Sequence, residues 1–165
     1  MPLIFETEDF TVAASEHPLH SRENGGHITI RPKQQFTEHF DLPIELAADF
    51  MHLSMLVGEA ATIALRQRGL NVIRINYQEM GNWAYKSEWT SKPNVHLHLL
   101  IRTDHERHPD NDPRFQAFPE ALTLPPRGAY YEHFEPLTVE DCSAIRTEIE
   151  RLSKTKKYYQ TKFGS

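Results

Sequence analysis

The chain has 165 residues, 39% of them hydrophobic, which is enough for one domain with an ordinary core. Its 18 basic and 23 acidic side chains give a formal charge of -5, which argues against nucleic acid as a bulk electrostatic partner; a small phosphorylated ligand would need only a local cationic patch. A single cysteine, Cys142, excludes an intrachain disulfide, and the first residues carry neither a basic segment nor a long apolar run, so a cytoplasmic protein without signal peptide or membrane span is expected.

Residues 10–14 alternate weakly and are followed by a polar stretch with Pro18, Gly25 and Gly26, which reads as a short strand and a loop. In His27-Ile28-Thr29-Ile30-Arg31 the apolar Ile28 and Ile30 alternate with polar neighbours until Pro32 closes the strand. Over residues 43–68, Leu46, Phe50, Leu53, Val57, Ala60 or Ala61, and Ala64 recur at spacings of three and four, the mark of one long amphipathic helix. Pro43 suits its first turn and Glu45 the positive end of its dipole, Arg66 and Arg68 suit the negative end, and Gly69 can terminate it. About 26 residues at 1.5 Å each make a rod of about 39 Å, long enough to cover one face of a sheet.

Val72, Ile73, Ile75 and Tyr77 predict a strand over residues 71–78, pairing antiparallel to the segment that begins at Asn94. Between them, residues 79–92 hold Trp83, Tyr85 and Trp89, consistent with a binding loop or a dimer contact. Charge and proline dominate from 103 to 126, a long surface excursion. Thr138 and Asp141 then form a capping-box pattern opening a second helix with the stripe Cys142, Ile145, Ile149 and Leu152, and the lysine-bearing tail from residue 153 is expected to fray.

The chemistry concentrates in Asn94-Val95-His96-Leu97-His98-Leu99-Leu100. As a strand it points Asn94, His96, His98 and Leu100 one way and Val95, Leu97, Leu99 and Ile101 the other, setting two imidazoles roughly 6 to 7 Å apart on a rigid element. Of the ten histidines, His17, His20, His39, His52, His105, His108 and His133 carry no such pattern and read as surface or turn residues. The pair itself admits three readings: partly exposed residues on an open sheet face, two metal ligands awaiting partners such as His105 or His108, or a nucleophilic imidazole beside a hydrogen-bond donor at a phosphoryl group.

The segment resembles the histidine triad (HIT) motif His-φ-His-φ-His-φ-φ, where φ is an apolar residue. It follows, in the order of that family, the Gly26-His27-Ile28-Thr29-Ile30-Arg31-Pro32-Lys33 strand, a long helix and a strand with Asn76. The likeness covers about residues 3–102 and implies an α+β fold: an antiparallel sheet of about five strands backed by the long helix, commonly paired into a homodimer. The expected division is a HIT-like domain over residues 1–102, with residues 103–165 as a C-terminal extension packed on it. Membership implies a nucleotide hydrolase or nucleotidyltransferase acting at an α-phosphate, with His96 as nucleophile, His98 as the phosphate-side histidine, and Asn76 and Ser91 as phosphate contacts. No cofactor or metal is needed.

Asn94 stands in the first histidine's place, where it can donate and accept but cannot ionise. Glu16 lies where many members carry a ribose-binding aspartate. These departures leave open a non-catalytic nucleotide-binding sensor or adaptor that uses the same pocket.

Overall fold

The computed structural model describes residues 2–79, 92–104 and 134–159. Five strands form one antiparallel sheet: β1 (Leu3–Glu6), β2 (Phe10–Ala14), β3 (His27–Pro32), β4 (Val72–Glu79) and β5 (Leu97–Thr103), in the spatial order β1-β2-β3-β5-β4. The fold is the expected α+β one, with a long helix α1 (Ile44–Gln67) and a C-terminal helix α2 (Val139–Ser153). Strand β1 escaped the sequence reading. Its four residues show no clean alternation, and only pairing with β2 makes it a strand.

Alternation sorts the sheet into two faces. Phe10, Val12, Ile28, Ile30, Leu99 and Ile101 are fully buried on one face, which α1 covers, with Phe10 stacked on Phe50 at 5.3 Å between ring centroids. On the helix, Leu53, Leu56 and Val57 are fully buried, each contributing about 1.5–3 kcal/mol relative to exposure. The helix approaches β4 closely at Gly58, where a Cβ would come within 2.0 Å of Tyr77 Oη, so Gly58→Ala would push the two apart. By length and composition α1 could cross a membrane, yet it packs here on the sheet as a core helix.

Helix α2 opens with the expected box: Thr138 Oγ1 accepts from Asp141 N–H at 3.2 Å, and Asp141 Oδ2 accepts from Thr138 N–H at 3.0 Å. Asp141 is fully buried and also binds Arg22 at 2.8 Å and Arg68, tying the loop before β3 and the end of α1 to the extension. Burial opposes its charge, but the two guanidinium groups hold its carboxyl well below the usual carboxylate range. The tail does not fray where it is described. Tyr158 is buried against the core and donates to Glu59 of α1 at 2.6 Å, an anchorage that the lysine-rich composition concealed.

Candidate functional site

The other sheet face carries the alternate set, mostly polar: Thr11 from β2, His27, Thr29 and Arg31 from β3, His98 from β5, and Asn76 and Gln78 from β4, with the apolar Ala13 and Leu100 among them. Cross-strand register sets Thr29 on one side of His98 and Gln78 on the other, while Asn76 lies opposite Leu100. The loop between β2 and β3 folds over one end of this face. It turns into β3 at Gly25, whose φ of 122° and whose missing side chain let the backbone pass Ile101, where a Cβ would stand 2.2 Å from the carbonyl oxygen.

The expected strand over residues 94–100 is two structures. The β ladder begins at Leu97, and residues 94–96 leave it to bond with the chain after β3. Val95 N–H donates to Phe36 O at 2.8 Å, Phe36 N–H donates to Asn94 Oδ1 at 3.1 Å, and Gln35 Nε2 donates to Pro93 O at 3.0 Å. Asn94 is therefore a backbone clamp. Its backbone carbonyl oxygen accepts from His96 Nδ1 at 2.7 Å, and since a carbonyl can only accept, the proton of neutral His96 sits on Nδ1 and the lone pair on Nε2. Burial lowers the His96 pKa below the ordinary imidazole value, against the opposing pull of that carbonyl bond, and the nearby Arg31 charge adds to the lowering.

His98 is held differently. It is buried, contrary to the partly exposed placement that alternation allowed, and its Nδ1 lies 2.7 Å from Nε2 of His27. His27 Nδ1 accepts from the backbone N–H of Leu19 at 3.1 Å, so the proton of neutral His27 is on Nε2 and is donated to His98. His98 in turn carries its own proton on Nε2. His27 stays neutral because burial, then unfavourable electrostatic interaction with His98, His20 and Arg31, lowers its pKa well below the ordinary imidazole value. The rings of His96 and His98 meet edge to face at 4.6 Å, one presenting a lone pair and the other an N–H.

Of the residues singled out in the sequence, the fold gathers His96, His98 and Asn94 at one place and sets Asn76 farther along the same face. Glu16 is exposed on the loop after β2. Ser91, the aromatic residues Trp83, Tyr85 and Trp89, and His105, His108 and His133 lie outside the described residues. His20, expected at the surface, is buried beside His27. Among the described residues, no group of three His, Cys, Asp or Glu side chains converges to hold a metal ion.

Two contributors were missed. His27 stands in the Gly-His strand without a role assigned, although its alternation with Thr29 and Arg31 mirrors that of His96 and His98. Gln78 becomes visible only through register, since nothing local announces which β4 residue faces His98.

A five-stranded antiparallel sheet, one face backed by a long helix and the other carrying paired imidazoles in opposite tautomers, defines an α+β domain with a histidine-bearing sheet face. The HIT domain family pattern matches residues 3–105, well over half of the chain, and the protein belongs to that family. Among solved structures, a hypothetical histidine triad nucleotide-binding protein from Sulfolobus tokodaii superposes with a TM-score of 0.58 at 19% identity, covering 96% of this chain and 89% of that one. A Hit-like protein involved in cell-cycle regulation from Bartonella henselae gives 0.55 at 14% identity, covering 89% and 85%. No curated protein matches the chain.

Proposed function

We propose that this protein is a nucleotide hydrolase or nucleotidyltransferase acting at an α-phosphate through a nucleotidyl-His96 intermediate. The observation that carries this reading is the hydrogen bond from His96 Nδ1 to the Asn94 carbonyl, which aims the Nε2 lone pair outward on a neutral ring. Nε2 forms the bond to phosphorus as the bond to the leaving group breaks, its electron pair going with that group. His98 Nε2–H donates to a phosphoryl oxygen and stabilises the charge that develops there. Water or another acceptor then attacks phosphorus, and the N–P electron pair returns to His96. The orienting bond comes from the backbone carbonyl of residue 94 and so does not need an imidazole there, while the Asn94 side chain holds the segment to Phe36. Asn76 and Gln78 from β4, with Ser91 and Glu16 as further candidates, complete substrate contact, and residues 103–165 serve as an extension of the HIT domain.

Incubation with a nucleoside phosphoramidate and with a dinucleoside polyphosphate, followed by acid-free quench and mass mapping, should find the nucleotidyl group on His96. Tight nucleotide binding with no adduct and no turnover would instead make the protein a sensor or adaptor with the same pocket.

The pairing partner is a second copy of the chain. Strand β4 is one edge of the sheet, and Met51, Met55 and Gly58, at successive turns of α1, lie on the helix stripe that meets its exposed Tyr77. Light scattering should give the dimer mass, and Met51→Glu should reduce it to the monomer.

A further inference from the structure

We propose that Arg31 is an anion-binding residue of the pocket, placed to take a phosphoryl oxygen of the group held at His96; this rests on the nucleotide reading above. Arg31 continues the face that His27 and Thr29 begin. The ladder pairs Thr29 with His98 and ends at Ile30 and Leu97, so Arg31 is the next β3 residue on the His98 face, at the end of the ladder where His96 departs from it. The two are close enough for the Arg31 charge to depress the basicity of both His96 and His27.

Its surroundings lack the acceptor that a structural arginine has. Arg22 and Arg68 bind Asp141, Arg66 binds the Val72 carbonyl, Arg146 binds carbonyls of β1, and Arg151 binds Glu148. Lys33, two residues on, pairs with Glu6 at 3.2 Å. The Nε of Arg31, by contrast, is closed to solvent with no hydrogen-bond partner, and among the described residues no carboxylate pairs with its guanidinium. A half-buried cation without a counter-charge costs stability, and an incoming anion offsets that cost. The terminal amino groups of a guanidinium form a planar fork that suits two oxygens of one phosphate. From β5 the His98 N–H supplies a further donor, so a phosphoryl group at His96 would be held from both β3 and β5.

Calorimetry with AMP and with adenosine, on the wild type, Arg31→Met and Arg31→Lys, tests this. Loss of the charge-assisted contact should weaken AMP by about 10 to 100-fold in Arg31→Met, leave adenosine within about twofold, and be partly recovered by Arg31→Lys. The melting temperature of the ligand-free Arg31→Met protein should hold or rise, because an unpaired desolvated charge has been removed, whereas a structural arginine would lower it. AMP affinity unchanged in Arg31→Met, or a loss shared equally by adenosine, overturns the proposal; Arg31→Gln repeats the comparison should the methionine variant fold poorly. The readout does not need turnover. AMP binding that depends on Arg31 with no adduct on His96 leaves this proposal standing and removes the transfer reading, while adduct formation and AMP affinity indifferent to Arg31 do the reverse.

Discussion

His96 and His98 are the same residue type two positions apart, and the fold treats them oppositely. His98 lies in the ladder, buried, its ring fixed by a chain of side-chain and backbone donors running from Leu19 through His27. His96 lies just outside the ladder, half-buried, on a segment clamped by Asn94 and Phe36 and oriented by a single carbonyl. The closed end fixes a donor and the open end presents a lone pair. Chemical difference between identical side chains thus comes from which ring nitrogen meets a group that can only donate or only accept.

The largest effect should come from the open end. His96→Ala removes the nucleophile and should lower turnover by at least about 1000-fold while barely changing the melting temperature; residual activity near wild type would erase the distinction drawn between the two rings. At the closed end, His27→Gln withdraws an oriented imidazole from His98 and should cost about 10 to 100-fold in kcat with little change in KM, measured by steady-state kinetics. A larger change in KM than in kcat would mean that His27 shapes binding rather than His98.

Asn94→Ala keeps the carbonyl that orients His96 but leaves the Phe36 N–H without its acceptor. It should cost about 1–3 kcal/mol in denaturant unfolding and lower kcat/KM by about tenfold or less. A loss as large as that of His96→Ala would show that the Asn94 side chain takes part in the chemistry.

The smallest effects are in pH. Since the His96 pKa is lowered, the ring remains a neutral nucleophile until pH falls below the ordinary imidazole value of 6.5, so the acid limb of kcat/KM should lie below that value. Arg31→Met should move the limb upward, because the charge that disfavours imidazolium is gone. His27 gives the stability counterpart. Its folded-state pKa lies well below 6.5, so the unfolded chain takes up the proton first; stability is full above 6.5 and declines as pH falls. In His27→Gln the melting temperature should vary less between pH 7 and pH 5 than in the wild type.

Much of the scaffold was readable residue by residue. The three- and four-residue spacing from Leu46 to Ala64 defined α1 to within a residue at each end, and the Thr138–Asp141 box placed the start of α2, because helix periodicity and capping are local properties. Strand β1 and the anchored Tyr158 were not readable, since each owes its place to a partner distant in sequence, β2 for one and Glu59 for the other.

The same division runs through the site. The sequence by itself determined that two imidazoles would stand beside each other on a polar sheet face, because alternation along a strand needs no knowledge of the rest of the chain. Tertiary structure alone decided that the ladder starts between them, that His27 and Leu19 set the tautomer of one, that the backbone carbonyl of Asn94 sets the tautomer of the other, and that Arg31 Nε is buried with no counter-charge among the described residues. Those outcomes depend on which donors and acceptors meet across strands, and that is a matter of register and burial rather than of local pattern.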